Sequence, residues 1–158
     1  MTKLLNIVQP TNAYFGQKDA AQCVLIKRIV DDLNIPVEVQ IMETVRESDG
    51  LAMSSRNAYL SPEERKIVPI VYASLQAGKA LYASRMEASS DATTPAKELI
   101  DEVKRVLHSE PLVSEVQYVA VDDRNTMQPL DEVGSTGAVV SLACKVGSVR
   151  LIDNIILS

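Results

Sequence analysis

The sequence predicts an α/β fold: a strand–helix–strand unit with parallel strands, followed by a small α+β domain with an antiparallel sheet. Two observations lead to this class. Strand-like and helix-like apolar patterns alternate over the first forty-two residues, whereas helices come first and strands afterwards in the rest. The chain has 158 residues, 46% of them apolar and 23% charged. This size and composition suit one globular domain, or a small domain attached to part of another.

The first forty-two residues carry the pattern of the strand–helix–strand unit. The apolar run Leu4–Gln9, ended by Pro10, predicts a buried strand, and PTNAYFG predicts a loop. Helical spacing predicts a helix over Gln17–Leu33, Pro36 ends it, and Val37–Met42 predicts a second strand. Parallel sheets bind ligands at the carboxyl ends of their strands. The segments PTNAYFGQKD and TVRESDGLAMSSRN are therefore the candidate ligand-binding loops.

The remainder of the chain is predicted to be helical first and strand-like afterwards. Ser61, Pro62 and Glu64 form a capping-box pattern that predicts a long helix running to about Ser84. The small, polar stretch ASRMEASSDATTP predicts an exposed connection, and Thr94-Pro95 starts the next helix, AKELIDEVKRVLHS. Three strands are predicted after it, in SEVQYVAVDD, GAVVSLACKVG and RLIDNIIL.

Charge and composition exclude several classes of function. A net charge of -5 opposes a phosphate backbone, and no Lys/Arg cluster overrides it, so nucleic acid is not an expected partner. Cys23 and Cys144 lie in apolar segments and are expected to be buried, reduced thiols. His108, the single histidine, is expected to end a helix rather than bind a metal. Neither a signal peptide nor a membrane-spanning run is apparent, so we expect a cytoplasmic protein.

Two segments carry residues suited to binding an anion. Lys18 and Asp19 are predicted at the start of the first helix, with Gln22 one turn further on the same side. The helix N-terminus and Lys18 would both attract an anion. The segment Ser54–Arg56 adds two hydroxyls and a guanidinium from the end of the next strand. Together these groups predict a polyphosphate site.

A plainer interpretation of both segments stays open on the residues alone. Lys18 and Asp19 would also be expected as solvated charges in a first helical turn. Ser54–Arg56 would also be expected as a turn in which a serine caps the chain from Asn57 onward. Short motifs of this kind occur by chance in many proteins.

Three stretches resemble the pantothenate synthetase family, ligases that join pantoate to β-alanine with ATP. They are KLLNIVQPTNAYFGQKDAAQ, VRESDGLAMSSRNAYLSPEER and RLIDN, and the likeness covers nearly the whole chain outside 84–94. The family belongs to the Rossmann-like nucleotidyl transferases, and AMSSRN resembles their late KMSKS-type motif. The resemblance implies that residues 1–44 are a remnant of the Rossmann-like nucleotide-binding domain, and that 45–158 form a small carboxyl-terminal α+β domain.

The resemblance also implies a role for individual residues. ATP, with Mg²⁺ on its phosphates, is the expected cofactor, and pantoate and β-alanine are the expected substrates. We expect either self-association into a homo-oligomer, through a strand edge that a larger sheet would cover, or a loosened amino-terminal segment. Family members often have Glu where Gln17 stands, and a Gln pair where this chain has Ala21 and Gln22. The expected catalytic contacts to the ATP phosphates are Lys18, Ser54, Ser55 and Arg56; Gly16 and Asp19 are expected at the ribose, Val45 and Met53 at the adenine, and Gln22 at pantoate.

The early part of the family pattern is not found in this sequence. The HIGH-type histidines of the family have no counterpart, since His108 is the only histidine. We therefore expect the chain to be the carboxyl-terminal half of a family member and to be inactive alone. The alternative is a non-catalytic nucleotide-binding or protein-interaction module.

Overall fold

The computed structural model describes residues 1–88 and 92–158 and has the expected α/β class. The described elements comprise five α-helices, one 3₁₀-helix and seven strands in three sheets. In chain order they are α1 Thr2–Val8, β1 Asn12–Gly16, α2 Ala20–Asp32, β2 Glu38–Met42, a 3₁₀-helix Ser55–Tyr59, α3 Pro62–Ile67, α4 Pro69–Ala88, β3 Thr94–Pro95, α5 Ala96–Leu107, β4 Val113–Asp122, β5 Glu132–Val133, β6 Ala138–Val146 and β7 Val149–Leu157.

The amino-terminal part is a strand–helix–strand unit with parallel strands, which is the predicted type of unit but with a different first strand. Strands β1 and β2 pair in parallel from Asn12 opposite Glu38 to Gly16 opposite Met42, and α2 connects them. Their carboxyl ends therefore lie side by side, and the segments that begin at Gln17 and Glu43 leave from that edge. A small apolar cluster with Leu5, Val30 and Ile35 at its centre packs against both strands.

Two predictions for the amino-terminal segment were wrong. The predicted strand Leu4–Gln9 is the helix α1, in which only Leu5 is buried and which ends in a left-handed Gln9. Short apolar runs do not distinguish a strand from a helix, and none of the described strands pairs with this one. The predicted loop PTNAYFG instead contains β1, which is stabilised by its pairing with β2.

The predicted long helix after Ser61 exists as two helices. The hydroxyl oxygen of Ser61 accepts a hydrogen bond from the N–H of Glu64 at 3.2 Å, and the N–H of Ser61 donates to Oε2 of Glu64 at 2.7 Å. The capping box is thus confirmed. Helix α3 ends at Ile67 and α4 begins at Pro69, because proline has no N–H to continue the ladder. Helix α4 extends past the predicted end to Ala88.

The stretch predicted as an exposed connection is only partly described. Residues 83–88 belong to α4, and 89–91 lie outside the described residues. Thr94 and Pro95 form the short strand β3, which pairs with β5, and α5 begins at the next residue. His108 is the carboxyl-terminal cap of α5, as predicted.

The main core lies between the antiparallel sheet and the helices α4 and α5. The sheet order is β4-β6-β7, so β6 is the central strand. Fully buried side chains such as Leu75, Leu99 and Leu142 fill the space between the two layers. Cys23 and Cys144 are buried free thiols, as predicted, and burial raises the pKa of Cys144 to about 11. No helix in the described part of the chain is long and apolar enough to cross a bilayer.

Candidate functional site

An open groove of about 370 Å³ lies between the start of α2 and the 3₁₀-helix. It brings together residues of the two candidate loops that lie more than thirty positions apart in the sequence. Val45 does not line the groove, but its carbonyl oxygen accepts a hydrogen bond from the N–H of Met53 at 2.9 Å. The groove is lined by Gly16, Lys18, Asp19, Gln22, Met53, Ser54, Ser55, Arg56 and Ile152.

Lys18 spans this groove. Its Nζ donates a hydrogen bond to the carbonyl oxygen of Met53 at 3.2 Å. Partial burial lowers the pKa of Lys18; the carboxylate of Asp153 opposes this shift, whereas Arg56 and Arg46 add to it. The positive charge of Lys18 is therefore only partly offset by the carboxylate of Asp153, so an anion in the groove would be attracted to it.

The segment Ser54–Arg56 combines the two interpretations that the sequence left open. Ser54 caps the 3₁₀-helix, and its hydroxyl oxygen accepts a hydrogen bond from the N–H of Arg56 at 3.3 Å. This is the serine cap of the plainer interpretation, although the same segment lines the groove. The hydroxyl proton of Ser54 is still free to donate, since a hydroxyl both accepts and donates. Within residues 1–88 and 92–158, no carboxylate forms an ion pair with Lys18 or Arg56.

The start of α2 differs from the prediction in a way that matters for anion binding. The helix begins at Ala20 rather than Gln17, and Asp19 is its amino-terminal cap. Oδ1 of Asp19 accepts the N–H of Gln22 at 3.0 Å. One of the backbone donors expected to face an anion is therefore already used. Positive charge in the groove comes mainly from Lys18 and Arg56.

Sequence reasoning missed three residues behind the groove: Arg46, Asp153 and Asn154. Arg46 makes a two-pronged ion pair with Asp153, with Nη1 to Oδ2 at 2.6 Å and Nη2 to Oδ1 at 3.0 Å. Nδ2 of Asn154 donates to the carbonyl oxygens of Gln17 and Lys18 at 2.8 and 2.9 Å. The signal was present in RLIDNIIL, where two adjacent polar residues interrupt an apolar run.

The part of the chain that the structure describes contains no group of three or more His, Cys, Asp or Glu side chains suited to hold a metal ion. The groove itself presents two cations and two hydroxyls beside the single carboxylate of Asp19. This donor set fits a polyphosphate better than a bare metal ion.

The fold and the groove define an α/β protein with an open groove at the carboxyl ends of two parallel strands. The family model for pantoate-beta-alanine ligase matches residues 1–156. The chain belongs to the pantoate–β-alanine ligase family.

Curated and solved relatives agree with this assignment. The pantothenate synthetase of Herpetosiphon aurantiacus is 46% identical over 157 residues, covering 99% of this chain and 54% of the relative. The crystal structure of pantothenate synthetase from Thermus thermophilus matches with a TM-score of 0.86 and 38% identity, over 98% of this chain and 52% of that one. The pantoate-beta-alanine ligase of Francisella tularensis, complexed with beta-gamma ATP and beta-alanine, matches with a TM-score of 0.62 and 28% identity, over 98% of this chain and 47% of that one.

The chain spans about half the length of the relatives that it matches. That this half is the carboxyl-terminal one stays a prediction, as do the domain limits 1–44 and 45–158.

Proposed function

We propose that the chain supplies the ATP phosphate-binding part of a ligase that condenses pantoate with β-alanine through a pantoyl adenylate. Family membership supports the reaction class, and the Francisella relative is complexed with a form of ATP and with β-alanine. The observation that carries the proposal is the position of Lys18 opposite Ser54–Arg56 across one groove.

These residue types suit the proposed chemistry. In the first step the carboxylate of pantoate attacks the α-phosphorus of ATP, and pyrophosphate leaves. The amine of β-alanine then attacks the acyl carbon, and AMP leaves. The first step brings two anions together, so fixed positive charge and hydrogen-bond donors lower its barrier. Arg56 offers a planar pair of donors and Lys18 a point charge, and Ser54 and Ser55 add neutral donors.

The remaining proposed contacts, apart from Val45, are residues that line the groove. Gly16 and Asp19 would contact the ribose, Val45 and Met53 the adenine, and Gln22 pantoate. Asp19 already accepts the N–H of Gln22 through Oδ1, so Oδ2 is the oxygen left for a ribose hydroxyl. Mg²⁺ would arrive on the phosphates of ATP, where it neutralises negative charge.

We also propose that the 158-residue chain does not complete this reaction alone. Catalytic groups that act as a unit lose most of their effect when some are missing, and the curated relatives are about twice as long. The cytoplasm is the proposed compartment, where two buried free thiols would stay reduced. A protein-interaction module has no observation of its own in its favour among the described residues.

Calorimetric titration of the purified chain with MgATP, AMP and adenosine tests the proposal. We expect ATP to bind at least about tenfold more tightly than AMP, because the β- and γ-phosphates add charge-assisted hydrogen bonds. Equal affinities, or no binding of ATP, would contradict it. Pantoate-dependent release of pyrophosphate is measured on the same sample. Turnover at about 1 per second or faster would contradict the proposed inactivity of the chain alone.

A further inference from the structure

Two adjacent residues of β7, Asp153 and Asn154, contact both walls of the groove. Asn154 holds the wall that carries Lys18, through the carbonyl oxygens of Gln17 and Lys18 at 2.8 and 2.9 Å. Asp153 holds the opposite wall through its two-pronged pair with Arg46. One short strand segment therefore sets the distance between the two sides.

The Asn154 contact explains why Lys18 lies outside α2. A helix beginning at Gln17 would direct the carbonyl groups of Gln17 and Lys18 into its own hydrogen-bond ladder. Instead the side-chain amide of Asn154 takes both carbonyls, and the N–H of Gln17 donates to the carbonyl oxygen of Met42 at 2.8 Å. Lys18 is thereby held in an irregular segment from which its ammonium reaches Met53.

The Arg46 contact fixes the turn that leads into Ser54. Nη1 of Arg46 donates to the carbonyl oxygen of Gly50 at 3.0 Å, in addition to its bond with Asp153. The guanidinium carbon lies 3.8 Å from the ring centre of Tyr72. Gly50 has a φ of +90°, and a Cβ there would lie 2.5 Å from a ring carbon of Tyr72. The turn is thus closely packed against Arg46 and Tyr72.

Burial makes this connection a stable one. The side chains of Arg46 and Asp153 are 19% and 2% exposed, so water competes little for their hydrogen bonds. Oδ1 of Asp153 also accepts the N–H of Asn154 at 2.8 Å. The carboxylate is therefore already well supplied with donors inside the protein, and a direct role at a ligand is not needed to explain its burial.

We propose that Arg46, Asp153 and Asn154 form a latch that positions Lys18 and the Ser54–Arg56 segment at the separation needed to hold one triphosphate. The ligand named in this proposal rests on the proposed function, whereas the geometry of the latch rests on the contacts described above. These are positioning residues: they act through Lys18 and Ser54–Arg56, and none of the three lines the groove itself.

Amide hydrogen exchange of the ligand-free chain tests the geometry. Asn154→Ala should raise exchange by about tenfold or more in residues 16–19, and Arg46→Lys should do so in residues 46–54, because each loses the contact that holds its segment. Exchange in β4 and β6 should not change. Arg150→Ala is the matched control on β7, because it removes a bond from Nε of Arg150 to Oε1 of Gln117, 2.7 Å long and outside the groove. A positioning role would be contradicted if exchange became uniformly faster or did not change. It would also be contradicted if both single variants, Asn154→Ala and Arg46→Lys, were unfolded.

A double-mutant cycle on ATP affinity tests how the latch acts. Asn154→Ala should weaken binding of MgATP by about tenfold or more in the unchanged chain, but by less than about threefold when Lys18 is already alanine, because it acts through Lys18. Independent losses in the two backgrounds would overturn the latch. ATP binding unaffected by Asn154→Ala would overturn it too, while leaving the proposed function intact. Failure of the unchanged chain to bind ATP would contradict the proposed function, and the exchange experiment would still decide the latch.

Discussion

Lys18 and Met53 are 35 positions apart in the sequence, yet Nζ of Lys18 donates a hydrogen bond to the carbonyl oxygen of Met53 at 3.2 Å. The acceptor is neutral, so the positive charge of Lys18 is positioned without being cancelled by an ion pair. Asp153 supplies the main opposing charge from the interior. An enzyme that must bind a polyphosphate needs such a cation, fixed in place but still able to attract an anion.

The lowered pKa of Lys18 predicts a pH dependence of ATP affinity. In the free chain, burial lowers this pKa below its ordinary value, whereas bound phosphates would raise it. Above the pH at which the free Lys18 ammonium begins to lose its proton, binding of ATP requires Lys18 to take up a proton. Affinity for ATP therefore falls as the pH rises. We expect calorimetric affinity for ATP to fall with rising pH, and the fall to begin below the pH range in which an ordinary lysine loses its proton.

Lys18→Arg is the control for this titration. Arginine keeps its charge throughout that range, so the fall with pH should disappear even if the affinity at neutral pH is lower. A decline of equal size in both proteins would assign the titration to another group or to the ligand.

The capping box at Ser61 predicts a measurable loss of stability. Ser61→Ala removes the acceptor for the N–H of Glu64 and should lower the free energy of unfolding by about 0.5 to 2 kcal/mol. Urea denaturation followed by circular dichroism measures this. Ser84→Ala is a matched control, because the hydroxyl of Ser84 donates only to the carbonyl oxygen of Leu81 on an exposed helix surface. Similar losses of unfolding free energy in the two variants would show that the capping hydrogen bond of Ser61 adds no more stability than the surface hydroxyl of Ser84.

The two apolar clusters predict unequal protection from hydrogen exchange. The cluster around Leu5, Val30 and Ile35 is small, and its sheet has only two strands. The amide of Gln40, which lies on the side of β2 that faces β1, should therefore exchange faster than that of Val140 in the central strand β6, through local opening. Nuclear magnetic resonance of the exchanging chain resolves both positions. Equal protection would mean that the two parts open as one cooperative unit.

The sequence was informative where the signal is local. The spacing of apolar residues predicted α2, and Ser61 with Glu64 predicted the start of α3, because helical periodicity and caps depend on near neighbours. The strand predicted at Leu4–Gln9 was wrong, and β1 was missed, because strand formation depends on a partner elsewhere in the chain. The residues themselves predicted an anion site at Lys18 and Ser54–Arg56 but left the serine cap open, and the individual ATP contacts came from the resemblance.

The latch could not have been found from local pattern. Arg46 and Asp153 are 107 positions apart, and neither residue carries a motif that names its partner. An Asp-Asn pair within the apolar strand RLIDNIIL does predict a buried polar contact, because buried polar groups need hydrogen-bond partners. It does not predict which loop supplies that contact.

The affinity of Arg56→Lys for ATP, measured beside its affinity for adenosine, tests the central claim most directly. Lysine keeps the charge but cannot form a two-pronged contact with phosphate oxygens. We predict that Arg56→Lys weakens binding of MgATP by about tenfold to a hundredfold, corresponding to about 1.5 to 3 kcal/mol, with adenosine unaffected. Unchanged affinity for ATP in Arg56→Lys, with the fold intact, would contradict the account and leave Ser54–Arg56 as a capped surface turn.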